Sequence, residues 1–60
     1  MAADDESVVR EFYAPVQVNC TQAASGAWVL WLDEVGQTYL TEHLDKATAW
    51  HKARKHIEGQ

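Results

Sequence analysis

Apolar and polar residues alternate from Val16 to Thr21, with Val16, Val18 and Cys20 on one side and Gln17, Asn19 and Thr21 on the other. Period two predicts a strand with one buried face. A small-residue connection follows, Gln22-Ala23-Ala24-Ser25-Gly26. Then comes Ala27 to Glu42, AWVLWLDEVGQTYLTE, two runs rich in Trp, Val, Leu, Tyr and Thr around Asp33-Glu34-Val35-Gly36. This composition predicts a β-hairpin. Gly36 stands where a short hairpin with a bulge needs positive φ after a type I turn. Pairing Asp33 with Gln37 sets a register of Leu32 with Thr38, Trp31 with Tyr39, Leu30 with Leu40 and Trp28 with Glu42. One face then carries Trp28, Leu30, Leu32 and Leu40, and the other Val29, Trp31, Tyr39 and Thr41. The connection is short enough to lay the first strand antiparallel to the hairpin. Val16, Val18 and Cys20 join the leucine face, and Gln17, Asn19 and Thr21 join Trp31 and Tyr39.

From Asp45 to Glu58 the period changes to that of a helix. Ala47, Trp50, Ala53 and Ile57 form one stripe, and Thr48, Lys52 and Lys55 fall opposite. Asp45 is a good N-cap. Lys52, Arg54 and Lys55 lie towards the end where the helix dipole favours cations, and Gly59 is placed to close the helix. The stripe is narrow and rich in alanine, so Trp50 and Ile57 are expected over Leu30, Leu32, Leu40 and Val18. Residues 4–13 fit two readings. As a helix, Val8 stacks on Phe12, Val9 on Tyr13, and Glu6 precedes Arg10 at i,i+4. As a strand, Val, Phe and Tyr have the right propensity. The helix is preferred, with Met1 to Ser7 as its frayed start or first turn. Either element stops by Ala14, because Pro15 disfavours helical geometry before it. The expected fold is a single α+β domain over 1–60. It has a three-stranded antiparallel sheet, a C-terminal helix packed on one face and a short N-terminal helix. Both faces of the hairpin are partly apolar, so the cover of the Trp31/Tyr39 face is open: the N-terminal segment, a partner or a second copy.

Composition narrows the function. A chain of 60 residues buries only about 60% of its unfolded surface, so its margin of stability is thin. Cys20 is the only cysteine, which excludes an internal disulfide and fits a reducing, cytoplasmic setting. Met1 to Ser7 is acidic without an apolar run, which predicts no signal peptide, and no stretch is long enough to cross a membrane. Charge is unevenly placed. Eight of nine acids lie in residues 1–45 against Arg10 alone, a net of −7, whereas residues 46–60 hold four bases against Glu58, a net of +3. An acidic body repels phosphates, so no direct nucleic-acid binding is expected of it.

No motif points to an enzyme. His51 and His56 are five residues apart and do not share a helix face, and no Cys/His spacing matches a zinc site. Cys20 lacks the electropositive setting a nucleophile needs and reads as a small buried hydrophobe. Neither Ser7 nor Ser25 lies in a nucleophile motif, and no phosphate-binding glycine loop is present. No catalytic residue, metal or cofactor is expected. His51, Lys52 and Lys55 on the last helix could touch phosphate, although dipole-favoured bases explain them as well.

The acids are the more informative set. Asp4, Asp5, Glu6, Glu11, Asp33, Glu34, Glu42 and Asp45 could present a negative surface along the body, and of these Asp4, Asp5, Glu6, Glu11, Asp33 and Glu34, with Trp31 and Tyr39 as aromatic anchors, form the expected partner-binding set. The bland alternatives are a solvated surface for the acids and an N-terminal cover for the aromatics. In size, acidity and lack of an enzymatic motif the chain resembles small proteins encoded by phages and mobile elements, anti-CRISPR proteins included, some of which act as DNA mimics. The resemblance is one of character over the whole chain. It implies a partner class: a nucleic-acid-handling complex, of which a CRISPR effector is one example. The leading expectation is therefore an acidic, non-enzymatic inhibitor that blocks a basic surface of a larger protein or nucleoprotein complex. The alternative is a small regulatory or nucleic-acid-binding module using the C-terminal helix. The chain is expected to be a monomer or a weak homodimer.

Overall fold

The computed structural model describes residues 4–59. In chain order it has α1 (Asp5–Tyr13), β1 (Val18–Gln22), β2 (Trp28–Leu32), β3 (Tyr39–His43) and α2 (Lys46–Glu58). The strands form one antiparallel sheet in the order β1-β2-β3. The α+β architecture matches the expectation. Met1 to Ala3, the first residues of the expected frayed start, lie outside the described residues.

The ambiguous segment is a helix. Asp4 caps it by accepting the Ser7 N–H at 2.8 Å. It ends at Tyr13, and Ala14 before Pro15 is extended, at φ −52° and ψ 143°. Arg10 then ties α1 down in three ways. Its Nε pairs with Glu6 at 3.0 Å, its Nη1 donates to the Val18 carbonyl at 2.6 Å, and its guanidinium lies 5.0 Å from the centre of the Trp50 ring.

Both helices cover the same side of the sheet. The core consists of Val9 of α1, Val18, Leu30 and Leu32 of the sheet, and Ala49, Trp50 and Ala53 of α2. Trp50 therefore packs where the helical stripe put it. One position differs: Ala47 is exposed and Ala49 is fully buried. Alanine contributes little hydrophobic signal, so spacing alone chose the wrong one. The small side chain at Ala49 lets β3 approach closely, and Thr41 Oγ1 donates to the Ala49 carbonyl at 3.0 Å.

The register of β1 on β2 pairs Val18 with Leu32, Cys20 with Leu30 and Thr21 with Val29. The hairpin starts as expected, with Leu32 N–H donating to Thr38 C=O at 2.8 Å and Trp31 opposite Tyr39. It then departs. A bulge places Leu30 opposite Thr41, Val29 opposite Glu42 and Trp28 opposite His43. Leu40 and Thr41 are consecutive, yet both serve the helix side. Leu40 packs on the core while Thr41 bonds to α2. A two-against-one bulge allows this. The expected pairs Leu30–Leu40 and Trp28–Glu42 are therefore corrected, and Thr41 changes faces with Glu42. The tip differs too. Asp33 N–H donates to Gln17 C=O, and the turn is closed by Gln37 N–H to Glu34 C=O at 2.9 Å. Gly36, at φ +96°, supplies the third position of that turn, where L-residues are strained.

Asp45 caps α2, accepting from Thr48 N–H at 3.0 Å and Thr48 Oγ1 at 2.6 Å. Gly59 closes the helix in an ordinary right-handed conformation, φ −83°, rather than the left-handed one. The Ser7 hydrogen bonds hold the Asp4 carboxyl below the usual carboxylate range, and the Thr48 hydrogen bonds do the same for Asp45. A pKa lowered by folding gives stability that is present above the unfolded value, about 4, and is lost as pH falls through the lowered folded value. Thermal midpoints should be level between about pH 7 and 5 and fall below about pH 4. Asp45→Asn should keep the cap but flatten part of that acid limb, and Asp45→Ala should lower the thermal midpoint at neutral pH, because the Thr48 N–H loses its cap. An acid limb identical in an Asp4→Asn/Asp45→Asn variant would show that the caps are not its source.

Candidate functional site

With both helices on one side, the opposite side of the sheet has no cover among the described residues. Strand alternation assigns to it Asn19 and Thr21 of β1, Val29 and Trp31 of β2, and Tyr39 and Glu42 of β3. The N-terminal segment does not cover Trp31 and Tyr39, because its buried residue, Val9, belongs to the helix-side core. Tyr39 is 57% exposed, and Trp31 and Val29 are half-buried.

Both rings are held at their polar ends. Trp31 Nε1 donates to Thr21 Oγ1 at 3.4 Å, and the Tyr39 hydroxyl donates to Glu42 Oε1 at 3.3 Å. Partial desolvation first, and then the Glu42 carboxylate, push the Tyr39 phenol above the ordinary tyrosine value. It is the neutral hydroxyl that is presented at physiological pH. At the hairpin tip Thr38 Oγ1 donates to Glu34 Oε1 at 2.9 Å, which holds that carboxylate beside the strand that begins with Tyr39. Val35 at the apex is fully exposed.

The expected acidic set is divided by the fold. Asp33 and Glu34 lie at the hairpin tip, at one end of the open face. Asp4, Asp5 and Glu6 open α1, on the helix side. Two of these three are already paired, Asp5 with Arg54 at 3.1 Å and His51 at 3.3 Å, and Glu6 with Arg10. Asp4 is occupied as a cap. Glu11 is exposed on α1. Glu42, part of the expected negative surface but not of the partner-binding set, belongs to the open face, where the bulge brings it opposite Val29.

The basic helix loses part of its apparent charge in the same way. Arg54 bonds to Asp5 and Glu58, and Lys46 lies 5.1 Å over the Trp28 ring. Lys52, Lys55 and His56 are exposed. Two lysines and a histidine are a small footprint for phosphate binding, where each neutralised phosphate contributes separately. A cleft of about 520 Å³ lies where the two helices begin, lined by Asp4, Asp5, Glu6, Asp45, Lys46, Ala47 and Trp50. Its carboxylates are largely engaged in caps and ion pairs. Among the described residues no group of His, Cys, Asp and Glu could hold a metal ion, and no helix is long and apolar enough to cross a membrane. No family model, curated protein or solved structure matches the chain.

Proposed function

We propose that this protein is a non-enzymatic acidic binding protein that blocks a basic, nucleic-acid-binding surface of a larger partner. The observation that carries the reading is the uncovered sheet face, which bears Trp31, Tyr39 and Glu42, ends at the acidic hairpin tip and carries no base among its described residues. Buried aromatic side chains supply affinity at an interface, and a rim of opposite charge speeds encounter and fixes register. The face is not a row of phosphate-like charges. Trp31 and Tyr39 pair next to the hairpin tip, with Glu42 further along the edge strand, so a DNA-mimicking anti-CRISPR would be a special case in which the rings bind beside the charge.

The partner can be recovered by affinity capture from native host extract and titrated at several salt concentrations. Affinity should fall as salt rises. Asp33→Lys/Glu34→Lys should weaken binding by roughly tenfold or more, since like charges across an interface cost several kcal/mol. A variant reversing Asp4 and Glu6, on the helix side, should change it less. Affinity indifferent to both salt and the hairpin-tip reversal would refute the reading. Mobility-shift assays with DNA and RNA should show no shift; a shift abolished by Lys52→Glu/Lys55→Glu would favour the basic helix instead.

A further inference from the structure

The hydrogen bonds at the ring ends give the open face a shape that the strand register makes explicit. Trp31 and Tyr39 start side by side on neighbouring strands. Each ring then leads to a polar group two or three residues along, at the level of Val29. Trp31 reaches Thr21, the β1 partner of Val29, and Tyr39 reaches Glu42, the β3 partner of Val29. The rings therefore diverge to either side of Val29. The result is a shallow trough with an aliphatic floor and two aromatic walls. Glu42 stands at the Val29 end, and the hairpin tip, with Asp33 and Glu34, lies beyond the other. The Glu42 oxygen bonded to Tyr39 is positioned by it, and the second oxygen has no partner among the described residues.

We infer that this trough binds the guanidinium of an arginine side chain presented by a protein partner. The inference rests on the proposed function and names its central contact. The chemistry selects the ligand in steps. The Glu42 carboxylate at one end, the acidic hairpin tip beyond the other and the lack of any base among the described residues of the face disfavour anions. Two aromatic walls favour a cation that can stack, because the negative face of an indole attracts a guanidinium. Guanidinium is planar and weakly hydrated, and it can stack on Trp31 while donating to Glu42. The lysine ammonium is compact and strongly hydrated, and it loses more on leaving water. A second copy of this chain is a poor occupant. It would bring Glu42 and Asp33 against acids of its own kind, on a molecule whose net charge is −4.

The test compares fluorescein-labelled nona-arginine and nona-lysine peptides, equal in charge, binding to the full chain at about 150 mM salt. The arginine peptide should bind roughly tenfold tighter. Trp31→Ala and Glu42→Gln should each remove most of that preference while the proteins still melt cooperatively. In the unaltered protein, the Trp31 indole N–H resonance should shift on titration more than those of Trp28 and Trp50, which keeps the test valid if a variant fails to fold. Equal binding of both peptides, insensitive to Trp31, would overturn the inference while leaving an acidic blocking surface intact. Binding of neither peptide even at low salt would overturn the inference and the acidic-surface reading together. Dimerisation through the face, seen in sedimentation as a doubled mass lost in Trp31→Ala, would also overturn it.

Discussion

Trp50→Ala is expected to leave the protein without a cooperative thermal transition. Trp50 is 4% exposed and lies where α1, α2 and the sheet meet. Removing an indole from a packed core costs about 3–5 kcal/mol, the lost transfer energy plus the cavity left behind. A domain of this length has about 3–9 kcal/mol in total. The ring also supports Arg10, which stacks over it and bonds to the Val18 carbonyl, so truncation loosens the hold of α1 on β1. Trp50→Phe should behave differently. The indole Nε1 is buried with no hydrogen-bond partner among the described residues. Phenylalanine therefore gives up volume but no hydrogen bond, and it removes an unsatisfied donor. We expect Trp50→Phe to melt cooperatively with a loss of about 1–2 kcal/mol. Circular dichroism melts of both variants decide the matter. A parental midpoint for Trp50→Ala would mean that the two helices do not share the core described.

The elements were legible because each carries its own period. Val18 and Cys20 alternate with Asn19 and Thr21, Trp50 and Ile57 recur at helical spacing, and Asp45 and Pro15 mark boundaries through local backbone chemistry. What was not legible depends on contacts distant in sequence. The bulge in β3 accommodates the Thr41 hydrogen bond to a carbonyl of α2, which no pattern within 39–43 announces. A shift of one residue moves a side chain to the other face, so that single bulge placed Glu42 in the candidate site and took Thr41 out. The pairing of Asp5 with Arg54 spans 49 residues of sequence. A count of charges along the chain therefore overstated both the acidity of the N-terminal segment and the basicity of the last helix. The Trp31/Tyr39 part of the site was found because their cross-strand pairing precedes the bulge.

Leu30→Ala and Trp31→Ala, adjacent substitutions in the same strand, should have opposite consequences. Leu30 is fully buried at the centre of the core, and its truncation should cost about 2–5 kcal/mol, a large share of the total. Trp31 is the larger residue, but it stands on the uncovered face, half-buried, with one long hydrogen bond to an exposed threonine. Its truncation exposes no cavity, and we expect a loss of about 1 kcal/mol, typical of a substitution outside the core. Binding should reverse the order. Folded Leu30→Ala, at temperatures where it persists, should hold a basic partner with near-parental affinity, because no atom of Leu30 reaches the open face. Folded Trp31→Ala should lose roughly tenfold or more, as expected of an aromatic anchor at the centre of an interface. Urea denaturation midpoints and titration of the captured partner measure the two effects separately. A Trp31→Ala protein as unstable as Leu30→Ala would place Trp31 in the core and remove the open face as an interaction surface. A stable Trp31→Ala protein with unaltered binding would leave the face open but unused, and would move the search for the partner's footprint to the helix side.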